Sequence, residues 1–367
     1  MKLNDKNIQI NNIAIIGLGL LGGSIAKTIK KNNAQIKISA FDKNEILDIA
    51  FKDKTIDAKL MNIEEAINYN LIILCLPTDL SLKAFKKLIP LIKEDTIITD
   101  VCGIKGVFEI EWEKSYKYGV YIGGHPMTGK EKGGYQNSDS LLFENAVYII
   151  SEKAKGNIKE DDFLQFVKLL GARAIYLDPF LHDDVVANVS HLPQLLSVAL
   201  LSSVASKKKD VNYLDFAAGG FKDLTRIASS DYNIWKSILE LNKNEITESI
   251  ITFQTYLNEI KNILKKEDYD SLKFLFEDAK TKRESINDNR KGFIHPLFDL
   301  YIFINDEPGA LYKITKILSV NKINIKDIEL QKIRENIDGT FRLSFSSQKE
   351  LIEAKKLLKK AGFTINN

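Results

Sequence analysis

Two cysteines in 367 residues are too few for a disulfide framework or a four-ligand zinc site. Cys75 and Cys102 both stand in apolar runs and read as small core residues, which suits a reducing compartment such as the cytoplasm. An excess of one charge is also missing: 52 Lys and Arg against 49 Asp and Glu leave a net charge of +3. No basic field therefore points to nucleic acid or to an anionic membrane. The longest apolar stretch, near Leu195–Ala205, is too short to span a bilayer, and no apolar run near Met1 leads to a small-residue cleavage site. These absences leave a cytosolic globular protein, without an expected metal, long enough for two or three domains.

What is present divides the chain into three patterns. Up to about residue 180, short apolar runs (Ile13–Ile16, Ile36–Phe41, Leu71–Leu76, Thr96–Asp100, Val120–Ile122, Ala146–Ile150, Ala174–Leu177) alternate with amphipathic segments such as Ser81–Ile92 and Asp161–Leu170. That alternation predicts a parallel α/β sheet covered by helices on both faces. Residues 181–290 carry helical period throughout, with stripes at Val185, Val189, Leu192, Leu195 and Leu196 and at Ile246, Ile250, Phe253, Leu257 and Ile260. So much apolar helix surface suits packing against a second subunit, and a homodimer is expected. Ser285–Gly292 reads as a polar linker. Residues 295–367 then give strand Leu297–Ile304, helix Ala310–Val320, strands Ile325–Lys332 and Thr340–Ser346, helix Lys349–Lys360 and strand Phe363–Ile365, a βαββαβ module.

The first run leads into Gly17-Leu18-Gly19-Leu20-Leu21-Gly22, a G-x-G-x-x-G turn at the start of a helical pattern. Gly17 permits the tight turn, Gly19 admits a pyrophosphate, and Gly22 lets helix and sheet pack closely, while the helix N-terminus offers free N–H groups. Asp42 ends the next strand, twenty residues after Gly22, where a carboxylate accepts ribose hydroxyls. It would repel a 2′-phosphate, which favours NAD over NADP, with Lys43 partly offsetting the repulsion.

Only four histidines exist. His125 follows a predicted strand in Gly123-Gly-His-Pro-Met-Thr-Gly129, where flanking glycines leave the backbone open for a substrate and the imidazole can act as a base. His191, in Ser190-His-Leu-Pro-Gln194 at the start of an apolar helical stripe, reads as a site residue or as a satisfied core histidine. His182 precedes Asp183 and Asp184 and reads as a local cap or pair, and His295 as a linker residue. In Gly219-Gly-Phe-Lys-Asp-Leu-Thr-Arg-Ile-Ala228, Arg226 can grip a carboxylate in bidentate fashion, oriented by Asp223. A surface ion pair is the alternative.

The glycine turn with Ser24, Gly-Gly-His-Pro-Met, Ser-His-Leu-Pro and Gly-Gly-Phe-Lys-Asp-Leu-Thr-Arg stand in the order and spacing of the prephenate dehydrogenase family, which residues 12–290 resemble. The terminal module resembles an ACT domain, whose glycine after the first strand is matched in Asp306-Glu-Pro-Gly-Ala-Leu311. The resemblance implies a Rossmann-type domain, an all-helical substrate and dimerisation domain, and an ACT-like regulatory α+β domain. It implies NAD-dependent oxidative decarboxylation of prephenate to 4-hydroxyphenylpyruvate in tyrosine biosynthesis. His125 would contact the ring hydroxyl, His191 would lie in the active site, and Arg226 with Asp223 nearby would hold a carboxylate. L-tyrosine is the implied effector, at Asn305, Asp306, Gly309 and Ala310.

Two positions depart from the family pattern. Gly103 stands where a serine often bridges the catalytic histidine and the cofactor, a role left open to a water, Cys102 or Lys105; Lys130 replaces a smaller polar residue. Arogenate dehydrogenase remains an alternative, as does a non-catalytic NAD or amino-acid sensor.

Overall fold

The computed structural model describes residues 10–115, 118–130, 132–205, 211–285, 297–305, 307–333 and 338–366. The linker, His295 and Asp306 lie outside them. Met1–Leu272 and Lys273–Asn367 are two compact units.

In the first unit, β1 (Asn12–Ile16) shows why the strands read as unbroken apolar runs. Ile13 and Ile15 enter one core, and Ala14 and Ile16 enter the other. A strand buried on both faces has no polar side to show. It is followed by α1 (Leu20–Asn32), β2 (Lys37–Phe41), α2 (Asn44–Lys52), β3 (Ala58–Lys59), β4 (Leu71–Leu74), α3 (Thr78–Leu88), β5 (Ile97–Asp100), α4 (Gly106–Lys114), β6 (Val120–Pro126), β7 (Val147–Ser151), α5 (Glu160–Leu169) and β8 (Arg173–Leu177). The eight strands lie in the order β3-β2-β1-β4-β5-β6-β7-β8. Every pair is parallel except β6 with β7. The two-residue edge strand β3, exposed at both residues, has too short an apolar pattern to be read from sequence.

The helical region is α6 (Pro179–Val186), α7 (Leu192–Val204), α8 (Gly219–Thr225), α9 (Tyr232–Leu241), α10 (Lys243–Lys265) and α11 (Tyr269–Ser285). Asp178 caps α6, accepting from the Phe180 and Leu181 N–H groups at 3.0 Å, with Pro179 at the first helical position. A π-helical turn at Ala187–His191 joins α6 to α7. Pro193 supplies its cause: without an N–H, and with a ring that crowds the carbonyl four residues back, it widens the turn without ending the helix. The apolar stretch is consequently part of a continuous 26-residue helix, Pro179–Val204, long and apolar enough by composition to cross a membrane. His182, Asp183, His191 and Gln194 on it are buried and hydrogen-bonded within the unit, as a core helix requires.

The second unit contains β9 (Phe298–Asn305), α12 (Ala310–Val320), β10 (Asp327–Ile333), β11 (Asp338–Phe345), α13 (Gln348–Lys360) and β12 (Thr364–Asn366). The antiparallel sheet runs β10-β11-β9-β12. Its buried face meets Ile314 and Leu318 of α12 and Ala354 and Leu358 of α13. This is the expected βαββαβ, ACT-like order.

Candidate active site

The C-terminal ends of β1, β4, β5 and β6 bring Gly17, Cys75, Asp100 and His125 to one edge of the sheet. Gly17 has φ +102°, which a side chain would strain, and a Cβ there would come within 2.8 Å of the Cys75 carbonyl. A Cβ on Gly22 would lie 1.9 Å from the Gly17 oxygen, so α1 packs against the turn only through glycine. At Gly19 the Cβ position has no neighbour within 4 Å, and no side chain caps α1 at this residue. An open cradle beside uncapped N–H groups fits a pyrophosphate. Leu18, Leu20 and Leu21 complete the turn. The Asp42 carboxylate ties it to β2, accepting from the Leu18 and Lys43 N–H groups at 2.6 Å each.

His125 lies within β6, opposite Ile149 of β7, not in the loop expected after a strand. The glycines before it also differ from expectation. A Cβ on Gly123 would meet the Tyr121 hydroxyl at 2.8 Å, and one on Gly124 the Tyr148 hydroxyl at 2.7 Å. They serve close packing where β6 changes from a parallel to an antiparallel neighbour; Gly129, with nothing within 4 Å, is the open one.

Around His125 runs a buried polar network. Asp100 accepts from the Cys102 N–H at 2.9 Å and the Tyr121 hydroxyl at 2.8 Å, and pairs with the Lys105 ammonium. Asp183 accepts from the N–H groups of Lys105 (2.7 Å) and Gly106 (2.8 Å), at the N-terminus of α4, where the helix dipole favours an anion. His182 is the residue that sequence reasoning misplaced. It does pair locally, its Nδ1 lying 2.8 Å from Asp183 Oδ1, but its Nε2 lies 2.8 Å from His125 Nδ1. No sequence signal was available for this contact: only the tertiary structure brings His182 on α6 to His125 on β6.

His191 is buried at the end of the π-helical turn, in mid-helix and not at a helix start. Asn242 Nδ2 donates to its Nδ1 at 3.2 Å, and its ring meets Trp235 edge-on. Burial is the main cause that lowers its pKa to about 4, with Asp183 opposing and His182 assisting. For His125 burial likewise leads, with His182, Lys105 and His191 adding, and holds the pKa well below the ordinary histidine range. Both rings are neutral at pH 7. One helical turn beyond His191, Gln194 donates to the Ile227 carbonyl at 2.9 Å, which tethers the segment bearing Arg226 beside α7. Asp223 and Arg226 themselves are exposed.

Gly103 faces the His125 ring: its Cβ position is 3.8 Å from Cε1 and Nε2. Two of the three candidates for the missing serine are held elsewhere. The Lys105 ammonium is fixed on Asp100, and the Cys102 thiol, in the core across the sheet, is pushed up to about 12 by burial. Lys130 pairs with Asp139 at 3.0 Å. Among the described residues no cluster of His, Cys, Asp and Glu could hold a metal ion.

A Rossmann-type sheet with this glycine cradle, and a neutral, partly buried histidine at the same edge, defines an NAD-binding oxidoreductase. The sequence profile described as prephenate dehydrogenase, nucleotide-binding domain, matches residues 25–176, and that described as its dimerization domain matches residues 178–278. The chain belongs to the prephenate dehydrogenase family. It is 34% identical to a prephenate dehydrogenase of Lactococcus lactis over 96% of this chain and 99% of that one. With one of Bacillus subtilis it shares 31% identity over 96% of each. A prephenate dehydrogenase of Aquifex aeolicus, crystallised with hydroxyphenyl propionate and NAD+, superposes with a TM-score of 0.70 at 30% identity, covering 77% of this chain and all of that one.

Proposed function

We propose that this chain converts prephenate to 4-hydroxyphenylpyruvate with NAD, with His125 as general base. The observation that carries the reading is His125 itself: a neutral imidazole fixed on β6, at the same sheet edge as the glycine cradle, with its Nε2 edge facing Gly103. Prephenate carries a hydroxyl and a carboxylate on opposite ring carbons. His125 removes the hydroxyl proton, which drives hydride departure from the same carbon and loss of the far carboxylate as carbon dioxide. The bound nicotinamide supplies the hydride acceptor. Aromatisation provides the driving force, so the protein's tasks are a base, orientation and exclusion of water. His191, with Nδ1 occupied by Asn242, presents an Nε2–H to a substrate oxygen. Arg226 holds a carboxylate, with Asp223 on the same short helix turn. Asp42 favours NAD, and its two backbone bonds orient the carboxylate.

Dimerisation is supported by α10. Its stripe is buried at Ile246 but emerges at Leu257, Ile260 and Leu264, which are exposed in the single chain. A homodimer in the cytoplasm completes the reading. For the second unit we propose an L-tyrosine site. A pocket of about 530 Å³ there is lined by Phe303, Glu307, Ala310, Lys313, Gly362 and Phe363. Gly309, at φ +86°, turns the chain so that α12 begins at Ala310. Aromatic walls beside the Glu307–Lys313 pair, 2.6 Å apart, suit an aromatic amino acid. Asn305 ends β9 at the same side.

Side-by-side turnover of prephenate and arogenate, each with NAD and NADP and with or without L-tyrosine, tests the substrate, the cofactor and the effector. NADH formation from prephenate is expected, inhibited by millimolar tyrosine. Turnover of arogenate alone would transfer the assignment to that substrate, and none at all would favour the sensor. Undiminished turnover without heat of tyrosine binding would remove the effector alone.

A further inference from the structure

His182 is buried, yet neither of its ring nitrogens is idle, and the bonds it makes determine where the protons lie. Asp183 already accepts two backbone N–H groups, so it is the acceptor toward His182 and the His182 proton sits on Nδ1. A His182 ring that carries this one proton has a lone pair on Nε2. The 2.8 Å contact with His125 Nδ1 requires that His125 carry its proton on Nδ1. That leaves the His125 lone pair on Nε2, the atom that faces the Gly103 position. The chain of bonds therefore leaves the basic nitrogen of His125 on the Gly103 side of the ring.

We propose that His182 is a positioning residue and proton relay for His125: Asp183 fixes the His182 tautomer, His182 fixes that of His125, and His182 receives the Nδ1 proton when His125 Nε2 takes the substrate's. The transfer balances. The substrate O–H bond breaks and an Nε2–H bond forms on His125; the Nδ1–H bond of His125 breaks and an Nε2–H bond forms on His182. His182 keeps its Nδ1–H on Asp183, and the positive charge ends beside that carboxylate. Left on His125, the charge would face Lys105, whose own partner is Asp100, and the neutral ring of His191. Gly106 allows this arrangement, because a Cβ there would lie 2.9 Å from Asp183 Oδ2.

The inference rests on the dehydrogenase reading, and the measurements separate the two. NADH formation from prephenate by the wild-type enzyme tests the reading. Nitrogen-15 shifts of the imidazoles in the wild-type protein test the tautomers without any variant: both histidines should be protonated on Nδ1. His182→Gln keeps an acceptor for the His125 Nδ1–H but cannot take a proton, whereas His182→Leu lacks both functions. We expect kcat to fall about tenfold in His182→Gln and about a hundredfold or more in His182→Leu, within the span of acid–base assistance. KM for prephenate and NAD should stay within a few-fold. The acidic limb of the kcat profile should shift in His182→Gln, since one of two coupled proton acceptors is gone. An Nε2–H tautomer on His125, or a wild-type kcat and limb in His182→Gln, would overturn the relay while leaving the dehydrogenase standing.

Discussion

Lys105 meets Asp100 with 1% and 0% of the two side chains exposed, whereas Arg342 meets Asp299, Asp327 and Glu329 on the sheet of the second unit with 17% of its own side chain exposed and up to 47% of a partner's. In the first unit the buried carboxylates Asp100 and Asp183 each accept from several donors, supplied by the β5–α4 connection, the start of α4, β6 and α6. Desolvating such groups is costly, and only a full set of bonds offsets it. That demand fixes the geometry around His125 closely. The Arg342 cluster bridges β9, β10 and β11 in contact with water, where each pair contributes little and can rearrange. The contrast separates a region held in place by its buried bonds from one whose charged groups can rearrange.

The largest effect should come from the reacting group. His125→Asn keeps hydrogen bonding but not basicity, so turnover should drop about 10²–10⁴-fold while NAD affinity holds; stopped-flow NADH formation and cofactor titration decide this. Hydride transfer near the wild-type rate would take the base away from His125. Next is the buried pair. Lys105→Met strands the Asp100 carboxylate and should cost about 3–5 kcal/mol of stability, with Lys105→Met/Asp100→Asn recovering part of it. Chemical denaturation measures both, and a loss under 1 kcal/mol would erase the contrast with Arg342.

Arg226→Ala should raise KM for prephenate by about 1.5–3 kcal/mol, the range for a charged hydrogen bond, with kcat less affected. An unchanged KM returns Arg226 to a surface ion pair. The buried neutral histidines sharpen the comparison through pH. Unfolded, a histidine binds a proton below about pH 6.5; folded His191 does so only below about 4. In that window the unfolded state holds more protons, so stability falls as pH drops, by about 1.4 kcal/mol per pH unit for each such group. His191→Asn should flatten the slope in denaturation series between pH 6.5 and 4.5, and an unaltered slope would contradict its burial as a neutral ring. The smallest effect belongs to Arg342→Ala, at about 1 kcal/mol or less and weakened by salt. A loss matching that of Lys105→Met would show that exposure is not what separates the two clusters.

Periodicity and glycine placement by themselves determined most of the architecture, because strands buried on both faces must be apolar throughout and helices with one buried face must repeat near 3.6 residues. Ile13–Ile16, the Gly17–Gly22 turn and all six elements of the second unit were legible for that reason, as were His125 and His191 as site candidates. Tertiary structure alone decided which polar residues met. Nothing in local sequence links Asp100 to Tyr121, Lys105 to Asp183, or His182 to His125, since those bonds join residues 21 to 78 positions apart. Gly123 and Gly124 looked like an open approach and proved to be packing contacts, because the tyrosines they admit come from their own strand and from β7. The helix runs on past Pro193 with a π turn at Ala187–His191, because packing stabilised a backbone that propensity alone disfavours. Local pattern specifies which residues are buried; which buried donor meets which acceptor is settled only when the chain closes around them.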